Sequence, residues 1–431
     1  MKVVAFPEAP VSLTLVMSTA LAGVSLSPRT SESTRWASRR SFEPSNVRTA
    51  RRTEAFSAFS ARRNIARAVA ARAGGVPAAA PLVPQPRDGD VPLSFAQQRF
   101  WFVERMGAAA NAYVIPVALR LRGPLDVDAL GAALDALVAR HEALRTVFPL
   151  RDGGPVQVIL PPACVPLPLD DVSACAEAER QREAARLTDA EVRTPFDLER
   201  GPVIRARVVR HAADDHLLLL TLHHIVADAW SMGVLFRELE ALYAAARDGR
   251  DAGLAPLPVQ YADYALWQRR RMEGAALEHE LAHWRGRLEG TATLQMPTDR
   301  PHPPVQSFRG ANVAFDLGAE LSAAVIDLAR RQGATTFMVL LAAFQLLLHR
   351  WSGTEDVVVG SPIAGRTPRE TEGLIGVFLN TLALRTDLSG DPTFAELLAR
   401  VRGTALDAFA HQDVPFERLV EELTVERSLA R

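Results

Sequence analysis

Leu217-Leu218-Leu219-Leu220-Thr221-Leu222-His223-His224-Ile225-Val226-Ala227-Asp228-Ala229-Trp230-Ser231-Met232 is the stretch that decides the fold. Six apolar or β-branched residues ending at polar ones predict a buried strand that delivers its last side chains to a rim. Successive side chains on a strand point to opposite faces, so His223 and His224 cannot share one task. One faces a cavity and the other the core beside it. A neutral imidazole is well suited to accept a proton near neutral pH. Asp228 stands just past the strand, within reach of the same rim. Ser231 occupies the position expected for a helix N-cap, with Leu235, Leu239 and Leu242 following at helical spacing. The unit is strand, polar turn, helix.

His-His-x-x-x-Asp by itself is a moderate signal, because a buried histidine is more often a hydrogen-bonded core residue than a catalyst. Zinc binding is the weaker reading: adjacent strand histidines diverge, and no Cys-x-x-Cys, His-Glu-x-x-His or third nearby ligand accompanies them. No metal site is expected.

The company of this motif is more specific. Ser94-Phe95-Ala96-Gln97-Gln98-Arg99-Phe100-Trp101 precedes it, as does Arg140-His141-Glu142-Ala143-Leu144-Arg145-Thr146-Val147-Phe148. Tyr261-Ala262-Asp263-Tyr264-Ala265-Leu266-Trp267, Gly360-Ser361-Pro362-Ile363-Ala364-Gly365-Arg366, Ile375-Gly376-Val377-Phe378-Leu379-Asn380-Thr381 and His411-Gln412-Asp413-Val414-Pro415-Phe416-Glu417 follow. In this order the stretches resemble the condensation domain of nonribosomal peptide synthetases, from about residue 92 to the C-terminus. The resemblance implies an α/β fold of two chloramphenicol acetyltransferase-like lobes arranged as a V, with the active site in a tunnel between them. It implies peptide bond formation between an acyl or peptidyl thioester and an aminoacyl thioester. The substrates arrive on phosphopantetheine arms of donor and acceptor carrier domains, next to an adenylation domain, and no cofactor is bound covalently.

The resemblance also assigns roles. His224 is the active imidazole and His223 an inward structural residue. Asp228 is expected to pair with Arg145 and fix the loop, while Ala229, Trp230, Ser231 and Asn380 shape the site. Tyr261, Tyr264 and Trp267 are expected as packing aromatics, with Pro415 at the first position of the last helix. Ala229 stands where the family usually has glycine, so a β-carbon lies where φ freedom is of use unless the loop adopts φ < 0. The residues after Asp228 resemble domains that join two L-configured units. An epimerisation domain, a silent recruitment module and a free-standing acyltransferase acting on coenzyme A thioesters are the competing readings.

Composition fits this class. The chain has 431 residues, 48% hydrophobic and 23% charged, with formal net charge -1. That suffices for two cores and offers no basic footprint for nucleic acid. Two cysteines, Cys164 and Cys175, cannot make a disulfide framework, which suits a reducing cytoplasm. Residues 1–90 are arginine-, serine- and alanine-rich and read as a disordered leader with a linker from Pro77 to Pro86. Val11–Leu26 is apolar but short and Ser/Thr-rich, so it does not read as a membrane span, and Asn64–Ala73 is a candidate short helix. Residues 91–270 are expected as the N-terminal lobe and 271–431 as the C-terminal lobe, incomplete at its end. Met296–Arg309 reads as the crossover and Asn312–Leu317 as the second lobe's first strand.

Overall fold

The strand read from the leucine run, Asp215–His223, is the middle member of a five-stranded sheet in the computed structural model. The structure describes residues 2–4, 80–87, 89–106, 112–301, 313 and 315–423. Val11–Leu26, Asn64–Ala73 and most of the expected crossover lie outside the described residues. Asp215–His223 pairs antiparallel with Val114–Arg122 on one side and Ile204–Ala212 on the other. Leu169–Asp171 joins parallel to the latter, and Lys2–Val4 lies antiparallel at the opposite edge.

The two faces of the central strand explain why its sequence is apolar without alternation. Leu218, Leu220 and Leu222 enter the first core, which also takes in the helices Val127–Arg140 and Ala229–Asp248. Leu217 and Leu219 turn to the other face, against Ala184 and Leu187 of the helix Glu177–Arg193. A strand covered on both sides needs no polar face. A smaller sheet, Val91–Pro92, Gly154–Ile159 and Thr146–Val147, with Leu150–Arg151 beside it, flanks this half.

A second core gathers the helices Gly274–Leu288, Thr336–Ser352 and Phe394–Ala410 around the antiparallel pair Asp356–Ile363 and Asn380–Asp387. The strand expected at Asn312–Leu317 does not form at its described residues. Val313 and Phe315 are exposed and find no partner strand, and an unpaired strand has nothing to satisfy its backbone. The chain enters the helix Gly318–Arg331 directly instead.

Two segments tie the cores together. The helix Phe95–Arg105 sends Phe95 into the second core and Phe100 into the first. Leu374, Ile375, Val377 and Phe378, from late in the chain, are buried in the first core. Residues 80–87, expected as free linker, are irregular but attached: Leu82 is buried, Trp267 Nε1 donates to Ala80 O at 2.7 Å, and Arg87 bridges Glu142 and Asp263 at 2.6 and 3.2 Å.

Candidate active site

The central strand ends at His223, whose ring packs edge-on against Phe196, and His224 begins the turn that follows. His223 is buried. Its Nδ1 accepts a hydrogen bond from Ile225 N at 3.0 Å, which places its proton on Nε2, facing the Glu104 carboxylate 3.6 Å away. The role is to close the turn. His224 is half-buried, and its backbone N donates to Tyr113 O at 2.8 Å. Its ring lies flat on Phe100, centroids 5.0 Å apart and planes 11° from parallel. Nδ1 is sealed in packing with no hydrogen-bond partner among the described residues. Burial lowers the His224 pKa below the ordinary imidazole value. The carbonyls of His224 and Ala227 and the Asp228 carboxylate oppose that shift, and His223 adds to it. The ring is therefore neutral at neutral pH, the form that accepts a proton.

Asp228 is fully buried and caps the helix Ala229–Asp248. Its Oδ1 accepts from Ser231 N at 2.8 Å, so Asp228, three residues earlier than expected, is the N-cap. The expected partner Arg145 is also not its partner. Asp228 Oδ1 accepts instead from the Arg366 guanidinium at 3.0 Å, and Oδ2 from Phe378 N at 3.0 Å. The cause is the crossing of residues 374–378 into the first core, which fills the space around the carboxylate. Arg145 lies in the one-turn 3-10 helix Glu142–Arg145, donates to Leu160 O and approaches Glu142 at 3.9 Å. It staples that turn to the end of the strand Gly154–Ile159.

Arg366 carries no assigned role in the sequence, where it is only the last residue of a matching stretch, yet it organises this region. Its guanidinium donates to Leu374 O at 2.9 Å and to Ser231 Oγ at 2.8 Å, and lies 4.0 Å over the Phe378 ring. Ser231 Oγ also accepts from Gly376 N at 3.0 Å. Burial lowers the Arg366 pKa and Asp228 opposes the shift. Gly365 and Gly376 are required here. A β-carbon on Gly365, where φ is +60, would stand 1.9 Å from Phe378 O, and one on Gly376 would stand 2.0 Å from the Tyr261 ring. Tyr261 Oη donates to Val377 O at 2.5 Å and lies 2.7 Å from Ser94 Oγ, so it packs and also bonds. His141 is a second residue that sequence reasoning misses. Its Nε2 lies 2.7 Å from Glu238 and its Nδ1 accepts from Ile375 N at 3.3 Å, fixing the same crossing segment from the other side.

Ala229 is exposed at the first turn of its helix and is not among the non-glycine residues with positive φ. The glycine usual at this position is thus not needed for backbone reasons. Trp230 Nε1 donates to Glu372 O at 3.0 Å. Asn380 directs its side chain to a turn: Nδ2 donates to Gln412 O at 2.9 Å and Val414 O at 2.7 Å, and Oδ1 accepts from Phe416 N at 3.0 Å. Pro415 is the cap preceding the helix Phe416–Glu422, one place before the expected position. A small inter-core cavity of about 40 Å³ is lined by Phe95, Tyr264, Trp267, Phe378, Asn380 and Glu417, among others; His224 is not one of its lining residues.

Residues 87–431 match the protein family described as Condensation domain. A linear gramicidin synthase polypeptide of Brevibacillus parabrevis is 54% identical over 351 residues, which are 81% of this chain and 4% of that protein. The chain thus spans a small part of the curated relative it matches. Among solved structures, the X-domain in complex with OxyB from teicoplanin biosynthesis aligns with a TM-score of 0.76 at 36% identity, over 83% of this chain and 78% of that one. The first condensation domain of the calcium-dependent antibiotic synthetase, in complex with a substrate analogue, aligns with a TM-score of 0.63 at 28% identity. That alignment covers 78% of this chain and 79% of the other.

Proposed function

Because the chain belongs to the condensation domain family, we propose that it forms peptide bonds in nonribosomal synthesis, with His224 as its active imidazole. The observation that carries the reading is a neutral, half-buried ring held flat on Phe100 at the end of the central strand. Attack of an amine on a thioester builds positive charge on nitrogen and negative charge on the carbonyl oxygen, and the thiolate leaves. Nδ1 is sealed, so Nε2 is the nitrogen that takes the amine proton or orients the amine through a hydrogen bond. A flat stack and a backbone anchor restrict the ring to one orientation, which is the positioning that such a step needs. Asp228 and Arg366 act on this imidazole through the loop they hold, as positioning residues.

The substrates are thioesters on the phosphopantetheine arms of two carrier domains, with an adenylation domain as neighbour. The place of action is the cytoplasm; no single described helix is long and apolar enough to cross a membrane. Joining two L-configured units is the subtype that the residues after Asp228 favour. The likeness to an X-domain solved with OxyB favours one second reading, a domain that recruits another enzyme. Two separately loaded carrier proteins, mixed with this chain and followed by mass spectrometry, decide between them. A dipeptidyl thioester that disappears with His224→Ala supports condensation. Carrier binding without product, from the unaltered chain, overturns it.

A further inference from the structure

The imidazole in the first core and the last helix of the second are joined by a short run of contacts. Phe100, on whose face His224 lies, directly follows Arg99 in the helix Phe95–Arg105. Arg99 Nη1 stands 3.0 Å from Glu417 Oε1, on the helix Phe416–Glu422, whose Leu419 is buried in the second core. Both charged side chains are largely withdrawn from water, at 28% and 22% exposed. The Phe100 ring is enclosed by the His224 face at 5.0 Å, the Tyr113 edge at 4.8 Å and the Arg99 guanidinium carbon at 5.1 Å. Tyr113 also supplies the carbonyl that takes the His224 N–H.

On the reading of His224 as the active imidazole, we infer that Arg99 and Glu417 form a latch between the two cores that positions Phe100, and through it the His224 ring, for the condensation step. Each is a positioning residue, acting on the imidazole through Phe100. The latch is braced at both ends. On the first side, Phe95 N donates to Gln268 Oε1 at 3.2 Å, and the cap Ser94 lies 2.7 Å from Tyr261 Oη through its Oγ. On the other, Asn380 Oδ1 accepts from Phe416 N at 3.0 Å, one residue before Glu417. The other nearby cations are engaged elsewhere. Arg269 Nε donates to Leu93 O at 2.8 Å and its Nη2 to Gln98 Oε1 at 2.6 Å, and Arg418 pairs with Glu421 at 3.0 Å. Burial raises the Glu417 pKa. Arg99 leads the groups that oppose this shift, ahead of Arg269, while Glu421 adds to it.

What makes the stack worth latching is the state of the ring's other nitrogen. In a catalytic triad that nitrogen is held by a carboxylate, which fixes the imidazole's orientation. His224 Nδ1 has no hydrogen-bond partner among the described residues, so the face of Phe100 takes over the task. A stack resists tilting less than a hydrogen bond does, and it follows the helix that carries it. An ion pair that is partly open to solvent contributes little to stability, so the effect of this one lies in geometry. A misplacement of about 1 Å at the reacting centre costs up to about 10²-fold in rate.

The test compares the full chain with Arg99→Gln, Glu417→Gln and the double variant, each with its melting temperature measured. In chain labelled with ¹³C-histidine, the His224 ring resonances, assigned with His224→Ala, carry a ring-current shift from Phe100 that needs no substrate. Each single variant is expected to move those resonances toward the unstacked position. Each is also expected to lower the rate of dipeptide formation by about 10-fold, with little change in melting temperature. The double variant is expected to be no worse than either single one, because the same contact is lost in all three. Arg99→Lys, which keeps the charge, is expected to restore part of both readouts. If one single variant does not fold, the other carries the test. Resonances that stay in place overturn the latch, and so do losses that add in the double variant. Shifted resonances in a chain that yields no product from loaded carriers support the latch and overturn the condensation reading instead.

Discussion

Arg366 and Asp228, 138 residues apart in the chain, meet at 3.0 Å with side chains 2% and 1% exposed. A buried ion pair contributes little net stability, but removing one partner strands a charge. Arg366→Ala and Asp228→Asn are each expected to cost about 3–5 kcal/mol in chemical denaturation, with loss of activity. Arg145→Ala is expected to cost less than either. Equal losses for Arg145 and Arg366 would reject the pairing.

His224→Ala is expected to lower the condensation rate by about 10²–10⁴-fold, the usual contribution of general base catalysis, without lowering the melting temperature. A variant that keeps the rate of the unaltered chain rejects the assignment of His224.

The same imidazole predicts an acid dependence. Its folded-state pKa lies below the ordinary value of 6.5, so on acidification the unfolded chain takes up a proton first. Stability then falls as pH drops through about 6.5 and below, whereas the rate persists until the lower, folded pKa is reached. Urea midpoints and rates between pH 5 and 7.5, for the chain and for His224→Ala, check both statements. The substitution should flatten part of the stability slope.

Three glycines separate by their surroundings. Gly365→Ala and Gly376→Ala place a β-carbon 1.9 Å from a backbone oxygen and 2.0 Å from a tyrosine ring, so each is expected to destabilise by at least about 1–3 kcal/mol. Gly131, inside the helix Val127–Arg140, has nothing within 4 Å of the added carbon. Gly131→Ala is expected to stabilise by about 0.5–1 kcal/mol. Thermal melts of the three variants would show opposite signs.

Asn380→Ala leaves two carbonyls and two backbone N–H groups near the 412–416 turn without their partner. The expected loss is about 1–3 kcal/mol or more. Hydrogen exchange should localise it to residues 412–422. A loss confined to turnover would assign Asn380 to substrate instead.

How far the sequence could be read depended on whether the decisive contact was local. The leucine run and the helix after Asp228 follow from periodicities two and 3.6, and these were legible. The partner of Asp228 was not. Arg145 and Arg366 are chemically equivalent candidates, and only the crossing of residues 374–378 into the first core selects between them. A signal did exist: Gly365-Arg366 and Gly376 lie in stretches whose glycines need an explanation, and close backbone approach supplies it. The N-cap is Asp228 and not Ser231, three residues on; aspartate and serine are equally good caps, and their spacing leaves both positions open. The strand expected at 312–317 does not form at its described residues, although the pair Asp356–Ile363 and Asn380–Asp387 has no third strand among the described residues.

The crossing of residues 374–378 makes the two halves a poor choice for separate expression. A cut through the irregular stretch near residue 300 would leave the Asp228 carboxylate on one fragment and the Arg366 guanidinium on the other. Each fragment would expose a raw, ionised seam, and only their reassociation would restore a working turn around the imidazole.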